Sequence, residues 1–248
     1  MVKKFGGFIA LNGVTFEALR GEITGLIGPN GSGKTTLVNL LSGVLIPSDG
    51  EVVLDGSNIT DVPPHVRAKS GIARTFQHIC LFEHLSVLEN IEVGVLLHDR
   101  GAWGSDRRDK AEELLEKLNL NGLAGRTAGT LSYGDQRRVE IARALATDPS
   151  YLLLDEPAAG MLPVESNSLL EILLHVHETF DLGIITIDHD LRLISRLCDR
   201  VVVLNSGEVL AMGSPSEVQE DPRVIEAYLG RRRSRTSQPD QKEGKSVS

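Results

Sequence analysis

Short, mainly apolar runs alternate, along most of this chain, with longer stretches whose apolar residues return every three or four positions. The runs at 23–27, 151–154, 184–187 and 201–204 have strand length and no polar face, as in a parallel sheet covered on both sides. The longer stretches read as helices. Residues 34–42 form one, with Gly43 placed to close it, and Pro163 opens another whose leucines spread over 169–174. Strand and helix alternating on this plan predict a doubly wound α/β sheet. Residues 14–19 alternate apolar and polar positions like a half-buried strand, and Arg20-Gly21-Glu22 turns the chain into the run at 23–27. A turn at Pro47-Ser48-Asp49-Gly50 leads to a predicted strand at 51–54, ended by Asp55-Gly56. Pro63-Pro64 opens a short helix, and 72–76 predicts a strand that runs out at Gln77.

From Gln77 to about residue 150 the rhythm is helical only. Ser86 and Glu89 stand at capping-box spacing and open a helix to about Leu97. Residues 101–105 read as a flexible join, and Ala111, Leu114, Leu115 and Leu118 mark one face of the next helix. A third starts after Ser132, runs through Val139, Ile141 and Leu145, and stops at Asp148-Pro149. The chain therefore divides into a sheet core over 1–77 and 151–230 and a helical insertion over about 78–150. Residues 231–248 carry six cationic and two acidic side chains and almost nothing apolar, which predicts a basic disordered tail.

Composition narrows the function. At 248 residues, 41% apolar and 24% charged, the chain can bury a large core without staples. A net charge of -8 argues against a nucleic-acid partner, which would need a basic surface. Cys80 and Cys198 lie far apart and suggest neither a zinc site nor a disulfide framework. There is no apolar run of roughly 20 residues and no signal-peptide core, so any membrane role is expected to be peripheral.

The chemistry centres on Gly28-Pro29-Asn30-Gly31-Ser32-Gly33-Lys34-Thr35-Thr36, which fits the phosphate-binding pattern G-x-x-x-x-G-K-[ST]. Its glycines let successive N–H groups face one anion at the positive end of the following helix. Lys34 is expected to reach β- and γ-phosphates and the Thr35 hydroxyl to ligate magnesium. A turn with no ligand is the bland alternative, disfavoured by the strand before the loop and the helix after it. Asp155 and Glu156 end the apolar run at 151–154. Strand carboxyl ends share one crevice in an open sheet, so Asp155 is placed to support magnesium and Glu156 to polarise a water against the γ-phosphate. His189, just past another strand end, is positioned to hydrogen-bond the γ-phosphate, and Gln77 offers its amide to the magnesium or the water. Taken alone, either residue would more often be structural.

A further stretch, Leu131-Ser132-Tyr133-Gly134-Asp135-Gln136, places a second anion-binding helix start inside the helical insertion, away from the phosphate loop of its own chain. Over about residues 5–230 the sequence resembles the ATP-binding subunits of ABC transporters, in which this signature closes over ATP held by a second copy. The resemblance implies the P-loop ABC ATPase fold, a mainly parallel sheet core with an antiparallel β part and a helical subdomain. It implies Phe5 as the adenine-stacking aromatic, the loop from Gly28 to Thr36 as Walker A, Gln77 as the Q-loop and Ser132 and Gly134 as signature contacts. It also implies Asp155 as the Walker B carboxylate, Glu156 as the catalytic base, 158–162 as the D-loop and His189 as the switch histidine. ATP and Mg2+ are the implied cofactors. Within the family the chain looks most like the ATPases of branched-chain amino acid importers, on Lys4-Phe5-Gly6-Gly7, Arg74-Thr75-Phe76-Gln77-His78, Tyr133-Gly134 and Glu156-Pro157-Ala158-Ala159-Gly160, among others.

That resemblance implies two transmembrane permease subunits, a second homologous or identical ATP-binding subunit and, indirectly, an external solute-binding protein. It places the chain peripherally on the cytoplasmic face of the inner membrane. The segment 78–85, with Ile79, Leu81 and Phe82, is the expected seat of a permease helix. Three positions depart from the family pattern: the strand before Phe5 is nearly absent, Asp135 replaces an amide or longer acid, and Leu162 replaces Asn or Asp. Rival readings are an ATPase of lipid or lipopolysaccharide export, a non-transport ABC ATPase, a small-molecule kinase and a cassette without turnover. The interval from Gln77 to Ser132 leaves no room for a long coiled coil, and a kinase gives no reason for the signature or His189.

Overall fold

The four apolar runs become neighbouring strands of one sheet in the computed structural model, which describes residues 1–98 and 105–234. In chain order the elements begin with β1 (Lys3–Phe5), β2 (Phe8–Leu11), β3 (Ile23–Ile27) and α1 (Lys34–Leu41). Then come β4 (Val53–Leu54), β5 (Ser57–Asn58), α2 (Pro64–Lys69) and β6 (Ile72–Arg74). The helical part holds α3 (Val87–His98), α4 (Ser105–Lys117) and α5 (Tyr133–Leu145). The chain returns to the sheet with β7 (Tyr151–Asp155), α6 (Pro163–Phe180), β8 (Gly183–Ile187), α7 (Leu191–Leu197) and β9 (Arg200–Asn205). It closes with β10 (Glu208–Gly213), α8 (Pro215–Glu220) and α9 (Pro222–Ser234).

The main sheet runs β10-β9-β3-β8-β7-β6, with only β10 antiparallel to its neighbour. Its central strands are buried on both faces because successive side chains enter different cores. Leu152 and Leu154 pack with Ile91, Ile141 and Leu173 on one side, while Leu153 packs with Leu26, Leu37 and Val202 on the other. In the helical part, α3 lies against both α4 and α5. The Ser86 cap forms as expected: its N–H donates to Glu89 Oε2 at 2.7 Å and the Glu89 N–H donates to Ser86 Oγ at 3.2 Å. The Ser86 N–H and hydroxyl, both donating to Glu89 Oε2 at 2.7 Å, hold the Glu89 carboxyl below its ordinary range.

Several expected elements differ. Residues 14–19 keep their alternating burial but form no strand, because other groups take their backbone: Val14 N–H donates to Met1 O and Glu17 O accepts from the Arg200 side chain. The strand expected over 51–54 shrinks to β4, since the Val52 N–H is taken by Thr60 Oγ1 at 2.9 Å. Phe76 leaves the strand expected at 72–76 because the Arg137 guanidinium binds the Phe76 and Gln77 carbonyls at 2.7 and 2.8 Å. The strand thought nearly absent before Phe5 is present as β1, paired antiparallel with β2. Finally, α9 continues to Ser234, past the expected start of the tail at Arg231. The join expected at 101–105 falls almost wholly on residues outside those described, as does the tail beyond Ser234.

Candidate active site

The phosphate loop leaves β3 and enters α1 at the carboxyl edge of the sheet. Gly28 has φ 146°, and a Cβ there would sit 2.0 Å from the Leu204 carbonyl oxygen, so no side chain fits. Gly33 has φ 105°, and its absent Cβ would meet Leu11 Cδ2 at 2.6 Å and Ala10 O at 2.9 Å. Packing of β2 and of the β9 end thus dictates two of the motif's glycines, and β2 ties the Phe5 hairpin to the loop. The turn after β9 adds a brace, with Gly207 N–H donating to Ser32 O at 3.0 Å.

Lys34, 9% exposed, folds back over the loop and donates to Gly28 O at 2.8 Å and Pro29 O at 3.1 Å. Gly33 caps α1 without a side-chain acceptor for the helix's first N–H groups. Ser32 Oγ is buried inside the loop with no hydrogen-bond partner. A buried hydroxyl without a partner, next to a helix start, suits a ligand that brings acceptor oxygens. Asn30, Gly31 and Thr35 face solvent, with Pro29 buried and Thr36 half-buried.

Sheet register places the acids. Leu26 of β3 and Asp155 of β7 both pair with Ile187 of the intervening β8, so Asp155 lies level with the loop's root at about 10 Å across two strand spacings. Glu156, at φ 48°, donates its N–H to Ile187 O at 2.9 Å and turns its carboxylate toward two other predicted residues. Gln77 Nε2 donates to Glu156 Oε2 at 3.2 Å, and His189 Nδ1 lies 4.0 Å from the same oxygen. Gln77, Glu156 and His189 are therefore gathered at one point from three segments. His189 also stands 3.7 Å from Asp188 Oδ1. Burial pushes the Asp188 carboxyl above its ordinary range, against the lowering influence of the Asp190 N–H and His189. A cleft of about 520 Å³ opens beside this cluster, walled by Ala158, Met161 and Arg192 among others.

Ser132 and Gly134 open α5 in the helical part. Ser132 caps it by accepting the Asp135 N–H at 3.2 Å. The return bond differs from expectation: the Ser132 hydroxyl, not its backbone N–H, donates to Asp135 Oδ2 at 3.0 Å. Aspartate is one methylene shorter than glutamate, and at Ser86 and Ser214 glutamates do reach the backbone N–H. Phe5 is 46% exposed on its hairpin, with Lys3 Nζ 5.1 Å from the ring centroid.

Three charged residues to which the sequence reading gave no role, Arg74, Arg137 and Glu140, prove central. Arg74 Nη2 binds Asp155 Oδ2 at 2.9 Å, in a pair with 8% and 10% of the side chains exposed. Arg137, fully buried, pairs with Glu140 at 2.6 Å while holding the Phe76 and Gln77 carbonyls. A basic residue just before a strand end, and an Arg–Glu pair at i, i+3 beside the signature, were the available signals.

The donors that face this edge, the Thr35 hydroxyl, the Asp155 carboxylate and the Gln77 amide, are all hard oxygen ligands of the kind magnesium takes alongside phosphate oxygens. The residues present therefore fit that ion.

Comparison with known proteins points the same way. A family model described as ABC transporter matches residues 11–159, and one described as Branched-chain amino acid ATP-binding cassette transporter matches residues 208–233. The chain is 39% identical over 243 residues to the high-affinity branched-chain amino acid transport ATP-binding protein BraF of Pseudomonas aeruginosa, covering 93% of this chain and 95% of that protein. It is 35% identical over 230 residues to the lipopolysaccharide export system ATP-binding protein LptB of Escherichia coli, with 93% and 95% of the two chains covered. A solved structure of MJ1267, an ATP-binding cassette of an ABC transporter, in its ADP conformation, superposes with a TM-score of 0.84 at 34% identity, covering 92% of this chain and 96% of that one. With the loop, the strand-end acids and the signature helix arranged as described, the chain belongs to the ABC transporter ATP-binding family, whose members bind and hydrolyse ATP.

Proposed function

We propose that this chain is the ATP-hydrolysing subunit of an importer of branched-chain or related amino acids. The observation that carries hydrolysis is the meeting of Gln77 and His189 at Glu156 Oε2. From there Glu156 accepts a proton from the attacking water, Gln77 orients that water, and His189 contacts the γ-phosphate. Lys34 exchanges its loop carbonyls for β- and γ-phosphate oxygens, and Phe5 stacks on adenine. Thr35, Gln77 and Asp155 would hold a magnesium ion that arrives with the nucleotide, and such an ion would supply positive charge against the phosphates. Ser132 and Gly134 complete the site of a second ATP-binding subunit.

The match at residues 208–233 and the similarity to BraF support amino-acid import. On that reading two permease subunits carry the path and an external solute-binding protein delivers the substrate. The chain then sits peripherally at the cytoplasmic face of the inner membrane. No helix among the described residues is long and apolar enough to cross a membrane. A groove of about 400 Å³ between the sheet core and the helical part, lined by Phe76, Phe82, Leu97 and Arg143, is the seat for a permease helix. Of the apolar residues expected there, Phe82 is 50% exposed, whereas Leu81 packs on the core. Similarity to LptB favours lipopolysaccharide export as the second reading. Uptake of labelled leucine, isoleucine and valine in a strain lacking this chain decides between them. The import reading expects uptake to fall and to return on complementation, and normal uptake with defective export of lipopolysaccharide would replace it with the second reading.

A further inference from the structure

Arg74 joins three elements around the carboxylate assigned to the metal. It ends β6, whose register with β7 brings Arg74 level with Leu153, two residues short of Asp155. Nη2 binds Asp155 Oδ2 at 2.9 Å, while Nη1 binds Asn39 Oδ1 at 2.7 Å and Ser42 Oγ at 2.9 Å on α1, the helix that starts at the phosphate loop. The guanidinium carbon lies 4.9 Å from the Phe76 ring centroid. Arg74 and Asp155 are both about nine-tenths buried.

A carboxylate this well removed from water needs a countercharge, and the guanidinium supplies one. The same charge repels a divalent cation approaching the carboxylate from its other side, and in a desolvated place that repulsion is weakly screened. Triphosphate oxygens would supply the negative charge needed to outweigh it. We propose that Arg74 is a positioning residue that makes metal capture conditional on nucleotide: it holds Asp155 in place and keeps this edge from binding a divalent cation until ATP arrives. The inference rests on the assignment of Asp155 to the metal.

The test uses the purified full chain and Mn2+, whose free form is counted by electron paramagnetic resonance. Without nucleotide the parent should leave Mn2+ free, and with a non-hydrolysable ATP analogue it should sequester the ion. Arg74→Met, and Arg74→Gln as a polar second variant, should take up Mn2+ without nucleotide about tenfold more tightly than the parent, whereas Arg74→Lys, which keeps the charge, should not. Parent protein that sequesters Mn2+ without nucleotide would overturn the proposal whether or not the variants fold. So would a folded Met or Gln variant that binds no more Mn2+ than the parent, provided Asp155→Asn weakens Mn2+ binding with the analogue. If Asp155→Asn leaves that binding unchanged, the metal assignment itself fails and this inference falls with it.

Discussion

Asp135 shows how much a single methylene decides. It accepts the Ser132 hydroxyl and pairs with Arg138 at 3.3 Å, so its carboxylate serves the start of α5. Asp135→Asn should lower stability by about 0.5 kcal/mol and change ATP turnover only modestly, while Ser132→Arg should abolish turnover by filling the space offered to a partner's phosphates. Denaturation midpoints and phosphate release measure both. Asp188 gives a pH test of the other flank. Its folded carboxyl holds a proton more tightly than the unfolded one because burial penalises the charge, so the folded chain binds more protons and loses stability as pH rises through that range. Asp188→Asn removes this loss, so the variant's urea midpoint minus the parent's should rise as pH climbs from about 4 toward neutrality; a difference that falls instead would contradict the sign. At this scale the sequence was legible wherever spacing encodes chemistry. The loop from Gly28 to Thr36 and the pair Asp155-Glu156 announce themselves. Arg74 and Arg137 do not, because their meaning lies in carbonyls and carboxylates that only the folded chain brings to them.

At the scale of elements, α5 holds the segment that carries Gln77. Arg137 grips the Phe76 and Gln77 carbonyls, Glu140 Oε1 accepts the Cys80 N–H at 3.1 Å, and Arg143 donates to Cys80 O at 2.5 Å. Burial still pushes the Glu140 carboxyl above its ordinary range despite the neighbouring Arg137. Removing one partner leaves the other charge buried and unpaired, so Arg137→Met should cost about 3–5 kcal/mol, whereas Arg137→Met with Glu140→Gln should recover much of that loss. Equal destabilisation of single and double variants in guanidinium titrations would show that the pair is not the cause. Strands β3, β7, β8 and β9 were legible because burial on both faces leaves almost no polar position to confuse the pattern, whereas β10, only partly covered, was not read from the sequence. Residues 14–19 and 51–54 were not, since alternation tells which side chains are covered but not whether a neighbouring strand takes the backbone.

For the whole molecule, the sheet collects the loop and the acids at one edge while the signature rides on the helical part. On the proposed reading, two cassettes facing one another head to tail give each nucleotide both halves of a site. The Glu156→Gln variant with ATP, and with its partner subunit present, should therefore elute as a pair in size measurements, and strictly monomeric behaviour would contradict shared sites. Fold class was legible from the order of motifs, whereas substrate choice was not, because on the proposed reading those contacts belong to the permease and the external binding protein. The central claim is that Glu156, held by Gln77 and beside His189, is the base for ATP hydrolysis. Phosphate release by purified Glu156→Gln, set beside its ATP affinity, tests this most directly: binding should persist while turnover falls by about a hundredfold or more. Hydrolysis at the parent rate would show that the base lies elsewhere.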